Sequence, residues 1–250
     1  MNQEISNIET VVFRIEDFML DFRAQLPLTS LINYLIHTAG IHASRRGFGI
    51  HTLHEIGYTW VLSGLAVERV SPTMEPRALH ISTWIEEINR LFTLRSFTVT
   101  DEHGNLIAKA RSRWAAIGIE DRKPCGLDKL EGLTKHCCGN AVDIAAPGRI
   151  ASPESCLRLE PFCVKYSDLD INRHLTTVKY VERMMDLFEV ERYDTYYIRR
   201  FEILFLKECL YGEELSVCYE EISPDTYITE IKSVPSEDKR CRAKIIWGKR

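Results

Sequence analysis

The chain has 250 residues, 45% hydrophobic and 27% charged, which is ordinary for a globular protein and enough for one large domain or two small ones. A net charge of −4 and a pI of about 6.1 argue against bulk binding of nucleic acid. No apolar run approaches the roughly 18 residues that a membrane span needs, and the start Met-Asn-Gln-Glu-Ile lacks the basic and apolar segments of a signal peptide, so a cytoplasmic location is expected.

A strand pattern covers 11–26, and a helical one follows over 29–45. In that helix Leu31, Tyr34, Leu35, Thr38 and Ile41 or His42 fall on one face, Thr29 or Ser30 is placed to cap the start, and Gly47-Phe-Gly49 ends it. Strands continue to about residue 120, with Asp101-Glu-His-Gly-Asn105 as a hairpin turn between 94–100 and 106–114. Residues 121–153 are rich in Gly, Pro and charge and read as a linker. A second series then begins, with a strand over 156–166 and a helix over 174–188 whose Val178, Val181, Met185 and Phe188 share a face. Strands run on to the C-terminus; Phe201, Ile203 and Phe205 alternate with Glu202, Leu204 and Leu206, as in a strand buried on both faces.

The two series match by eye. Ala108-Lys-Ala-Arg-Ser-Arg-Trp114 resembles Cys241-Arg-Ala-Lys-Ile-Ile-Trp247, and Thr83-Trp-Ile-Glu-Glu-Ile88 resembles Val217-Cys-Tyr-Glu-Glu-Ile222. A strand, a helix and several strands, given twice, imply an α+β architecture with a first domain over 1–120, a linker over 121–153 and a second domain over 154–250.

The densest chemistry lies in Ser167-Asp-Leu-Asp-Ile-Asn-Arg-His174, just ahead of the second helix. In an extended segment Asp170, Asn172 and His174, at alternate positions, point to one side. Polar groups at a helix entry meet unpaired N–H groups and the positive end of the helix dipole, where an oxyanion can be stabilised. On the residues alone, helix capping and catalysis are equally open. The eight cysteines are scattered, with no CxxC pair, and are expected to be reduced thiols. Cys125, His136, Cys137 and Cys138 lack the spacing of zinc ligand pairs, so no metal is expected.

The run 167–174, continued by Val178-Lys-Tyr180, resembles the D-x-N-x-H-V-N-N-x-x-Y signature of acyl-acyl-carrier-protein thioesterases, with Leu175-Thr176-Thr177 in place of V-N-N. Phe48-Gly49, Tyr58-Thr-Trp60, Ser82-Thr-Trp84 and Arg111-Ser-Arg-Trp114 resemble landmarks of the family's first half, and Lys207-Glu208-Cys209 its later R-E-C element. The resemblance implies two tandem hot-dog domains, each a curled antiparallel sheet around a long helix. It implies hydrolysis of a fatty acyl thioester without cofactor or metal, with acyl carrier protein as partner. Asp170, Asn172, His174 and Glu208 are then the catalytic candidates, with Cys209 as an alternative nucleophile. Glu208 and Cys209 are expected side by side on a strand, where only one can face the site. Leu35, Ile36, Trp60 and Leu62 are the candidate acyl-binding residues. Lys179, Arg183, Arg192, Arg199, Arg200 and Lys207 form a candidate docking patch for the acidic carrier, with Glu182, Glu189 and Glu191 interspersed. A homodimer is a further expectation, although a tandem repeat can supply both partners of a two-subunit site in one chain. An acyl-CoA thioesterase and a non-catalytic module that binds acyl chains or carrier protein are the alternatives.

Overall fold

A computed structural model describes residues 6–155, 157–158 and 160–250. The first half runs β1 (Glu9–Arg14), α1 (Leu28–Arg45), α2 (Ile50–Glu55), β2 (Tyr58–Arg69), β3 (Ala78–Ile88), β4 (Thr93–Thr100) and β5 (Leu106–Gly118). The second half has two short strands, β6 (Leu157–Arg158) and β7 (Phe162–Cys163), then α3 (Thr177–Met185), α4 (Val190–Thr195), β8 (Tyr196–Phe205), β9 (Glu214–Ser223), β10 (Thr226–Val234) and β11 (Lys239–Lys249). All strands join one antiparallel sheet in the order β1-β3-β4-β5-β2-β8-β11-β10-β9-β6, with β7 also on β9.

The order is nearly symmetric about the β2–β8 seam, where Gly64 faces Leu204 and Glu68 faces Arg200. Moving outward from the seam, β5 corresponds to β11, β4 to β10 and β3 to β9. The two sequence matches therefore fall on equivalent strands, β5 with β11 and β3 with β9. The helices pack on the sheet through one continuous core that includes Leu31, Leu35, Phe97 and Phe201 with Val181 and Met184. At about 25 cal/mol per Å² of apolar surface removed from water, such burial is the main stabilising term.

Some boundaries differ from the sequence reading. Helix α1 starts at Leu28, so Pro27 takes the cap position and neither Thr29 nor Ser30 caps. The fixed φ of proline suits a helix start without a side-chain bond. At the other end Gly47 adopts φ 78°, as expected of the glycine that stops the helix. The expected strand over 11–26 stops at Arg14 and gives way to a single 3₁₀ turn, Asp17–Met19. The one over 156–166 is reduced to β6 and β7 and a 3₁₀ turn at Tyr166–Asp168, with Cys156 and Leu159 outside the described residues. The second helix begins at Thr177 rather than His174, because bridges of Leu169 with Leu175 and of His174 with Leu210 hold the preceding residues extended.

The 121–153 segment is tied down along the sheet. Leu127, Leu130 and Leu133 bury against Phe48 and Ile85. Trp84 Nε1 donates to Asn140 O at 2.7 Å, Arg111 to Ile144 O at 2.9 Å and Arg113 to Pro147 O at 2.7 Å. These straps give a physical role to the Trp84 and Arg111-Ser-Arg113 landmarks. Arg111 is itself held by buried Glu86, which also accepts from Ser96.

Candidate active site

The loop before α3 is built by Asp170. Its Oδ1 accepts the backbone N–H groups of Asn172 at 2.8 Å and His174 at 3.0 Å, and its own N–H donates to His174 O at 2.8 Å. Arg173 takes φ 64° at the tip. This Asx-type closure turns Asn172 and His174 to one side. Asp168 lies outside that turn; it is buried and its carboxylate accepts the Lys165 N–H at 2.8 Å. Tyr180 is buried edge-on to Phe205.

Glu208 and Cys209 follow the end of β8 and lie in a loop, so the expectation of a strand there is corrected. The hydrogen bond from Leu175 N–H to Cys209 O, 2.9 Å, binds this loop to the entry of α3. It brings Glu208 Oε2 to 3.3 Å from His174 Nε2. Cys209 is completely buried, and its thiol is pushed up to about 11, chiefly by burial. The carboxylate of Glu208 has a second partner that the sequence reading did not name: Arg122, at the turn after β5 in the first half, pairs with Oε1. His174 is held below the ordinary imidazole range by burial, with Asp170 acting the other way and the Arg122 charge adding to the depression. Burial thus favours the neutral ring, against the pull of the carboxylates beside it.

A cavity of about 680 Å³ connects these groups to the first half. Asp170, Asn172, His174, Glu208 and Arg122 line one part of it, and Ile36, Trp60, Leu62, Phe48 and Trp114 line the apolar part. Thr177 and Val178, the first two residues of α3, also line it, and N–H groups there have no intrahelical acceptor. The Asn172 side chain has no hydrogen-bond partner among the described residues. Of the four expected acyl contacts, Leu35 is not in the wall; it is 0% exposed in the core. Neighbouring helix positions are about 100° apart, and here that rotation turns Leu35 into the core while Ile36 lines the cavity. Arg122 and Arg95, the latter on β4, are cavity residues missed by the sequence reading; an arginine at a turn or in a strand carries no local signal of where it points.

The other candidates settle elsewhere. His42 is buried, with Nε2 3.1 Å from Asn7 O. His136 Nδ1 lies 3.2 Å from Asn7 Oδ1, and Cys137 donates to Glu86 O. No group of three or more His, Cys, Asp or Glu is arranged to hold a metal ion among the described residues. In the candidate docking patch Arg200 is paired with Glu68 and Glu202, Arg192 with Asp225, Lys179 with Glu182 and Lys207 with Asp238.

An antiparallel sheet wrapped on helices, with an apolar cavity running to a carboxylate–imidazole pair, defines the class: an α+β protein of the hot-dog kind. Comparison with known proteins gives the family. The model of the acyl-ACP thioesterase N-terminal domain matches residues 9–129, and that of the C-terminal domain matches residues 153–249. An acyl-ACP thioesterase structure from Bacteroides thetaiotaomicron is 39% identical, with a TM-score of 0.88 over 97% of this chain and 98% of that one. The chain belongs to the acyl-ACP thioesterase family. A 12:0-ACP thioesterase from Umbellularia californica shares the fold at 16% identity, with a TM-score of 0.86 over 99% of this chain and all of that one. The oleoyl-acyl carrier protein thioesterase 2 of Arabidopsis thaliana is 21% identical over 79% of this chain. The chain spans 58% of the length of that plant relative and 60% of its counterpart from Coriandrum sativum. No helix among the described residues is long and apolar enough to cross a membrane.

Proposed function

We propose that this protein hydrolyses the thioester of fatty acyl-acyl-carrier protein, releasing free fatty acid and carrier protein. One observation carries the reading: a single cavity joins an apolar wall from the first half to Asp170, Asn172, His174 and Glu208 of the second. The relatives' names add support for a carrier-protein substrate. In this reading residues 1–120 supply the acyl pocket, 154–250 supply the chemistry, and 121–153 join them.

Glu208, directly or through neutral His174, takes a proton from water as its oxygen bonds to the carbonyl carbon. The Asn172 amide and a first-turn N–H of α3 hold the oxyanion that develops. The carbon–sulfur bond then breaks, and the proton taken from water passes from Glu208 or His174 to the departing sulfur, which leaves as thiol and restores the base. Asp170 acts as a positioning residue, through the backbone of Asn172 and His174. Cys209 packs rather than attacks: it is buried, and its raised pKa keeps the thiolate scarce.

The test is release of thiol and fatty acid from a panel of acyl-carrier-protein and acyl-CoA thioesters, with Asp170→Asn and Glu208→Gln beside the wild type. Carrier-selective hydrolysis that is lost in the variants is expected. Cleavage of CoA esters alone would overturn the carrier assignment. Acyl binding by folded wild type without cleavage of any thioester would overturn the enzymatic one.

A further inference from the structure

Arg95 sits where a simple fatty acyl pocket has no use for it. It lines the same cavity as the site residues and is only 4% exposed. Its Nη1 donates to Thr83 Oγ1 at a long 3.4 Å, and its Nε has no partner. Nearby carboxylates are already engaged, Glu9 with Arg45 and Arg46, and Glu86 with Arg111 and Ser96. Arg95 forms no ion pair among the described residues. Burial, with the Arg46 charge adding, pushes it down to about 9, which leaves it charged at neutral pH. Beside it, His42 is kept neutral, lowered to about 2 by burial and the Arg95 charge, so it supplies no counter-charge. A buried cation with an empty donor is costly unless something completes its shell. A methyl-ended chain pressed against it would remove water and return nothing. An oxygen on the chain would accept from the fork.

We propose that Arg95 is a specificity residue that selects acyl chains bearing an oxygen acceptor, a hydroxyl or a carboxylate, remote from the thioester. The acceptor is placed far from the reacting carbonyl because Arg95 pairs with Ser112 of β5, about 20 Å along the strand from Gly118, and Arg122 reaches Glu208 from just beyond that end. The inference rests on the thioesterase reading and narrows its substrate class. Sites built to hydrogen-bond a substrate group discriminate strongly against the analogue that lacks it, because their own polar atoms are then left unpaired.

The experiment compares kcat/KM for acyl thioesters of equal chain length ending in methyl, ω-hydroxyl or ω-carboxylate, using the full chain and Arg95→Met. Wild type is expected to favour at least one oxygenated series by about tenfold or more, and Arg95→Met to erase or invert that preference. Preference for the hydroxyl arm identifies a neutral acceptor, and preference for the carboxylate arm an anion. Wild type that favours methyl-ended chains at every length would overturn the proposal. So would an Arg95→Met variant that only lengthens the plain chains accepted, which would make Arg95 a length stop. Should Arg95→Met fail to fold, Arg95→Lys keeps the charge and loses the fork, and the wild-type ratio remains decisive. Calorimetric binding of the corresponding non-hydrolysable acyl amides, which carry no free carboxylate at the reacting end, makes the same comparison without turnover. A retained oxygen preference with no hydrolysis would then sink the thioesterase reading alone.

Discussion

Replacing Glu208 with Gln keeps the side-chain shape but removes the charge shared by His174 and Arg122. General acid–base catalysis typically contributes ~10²–10⁴ in rate, so kcat should fall by that factor, about 3–5 kcal/mol at 1.36 kcal/mol per decade. Folding should hardly register the change. The Glu208 and Arg122 side chains are 38% and 37% exposed, and a pair so open to solvent contributes about 0–1 kcal/mol. Arg122→Gln leaves the carboxylate but frees it to wander, and misplacement of this kind costs about 10- to 100-fold. If Arg122 acts through Glu208, the double variant is no slower than Glu208→Gln alone, since nothing remains to be positioned. Single-turnover thiol release at saturating substrate, with thermal unfolding of each variant, measures both sides. Glu208→Gln with turnover within about threefold of wild type, a loss too small for removal of a general base, would refute the base assignment. Additive losses in the double variant would refute the role of Arg122.

The depressed His174 gives a pH signature. If the ring must be neutral, the acidic limb of kcat/KM lies below the ordinary histidine value of about 6.5. Arg122→Gln should move it upward, because that guanidinium disfavours the imidazolium. A wild-type limb at or above 6.5 would count against the assignment. His42 should make folding acid-sensitive. Its native pKa is about 2 against about 6.5 unfolded, so below 6.5 the unfolded chain binds the extra proton. Stability is therefore full above that value and falls with pH, by about 2 kcal/mol at pH 5. Denaturant titrations at pH 7 and 5 measure it, and a slope unchanged in His42→Gln would contradict the attribution. Cys209→Ala should keep turnover within about threefold, whereas loss of a nucleophile costs orders of magnitude; acyl-enzyme trapping distinguishes the two.

The local signals in the sequence were good guides where local rules decide. Helix α1, the Asp101–Asn105 turn and the matching strands β5 and β11 follow from spacing and turn chemistry. The start of α3 was not legible, since the bridges that hold His174 extended reach across to Leu210. Glu208 and Cys209 have the composition of a strand end, yet the tertiary bond from Leu175 N–H to Cys209 O and the adjacent His174–Leu210 bridge make them a loop. Asp170, Asn172 and His174 stood out because one short loop carries all three. Arg122 and Arg95 did not, because their meaning comes from cavity walls assembled by distant strands. Leu35 and Ile36 illustrate the finer limit: both are apolar and adjacent, and only helix phase separates core from cavity.

Arg122 pits stability against function at a single residue. It takes a left-handed φ of 56°, with its N–H donating to Gly118 O at 3.2 Å, while Asp121 Oδ1 accepts the Lys123 N–H. A residue with a side chain costs about 1–2 kcal/mol in that conformation, and glycine does not. Replacing Arg122 with Gly relieves that strain, adds about 0.4–1 kcal/mol of unfolded-chain entropy and removes a surface pair of at most about 1 kcal/mol. The net change in stability should lie between a loss of about 1 and a gain of about 1.6 kcal/mol by that balance, even though an ion pair is lost. Turnover should fall as in Arg122→Gln. Equilibrium unfolding and kcat measured on the same preparation separate the two effects. A variant destabilised by more than about 2 kcal/mol, beyond what the pair and glycine entropy explain, with kcat intact would show that the pair with Glu208 serves the fold and leaves the chemistry alone.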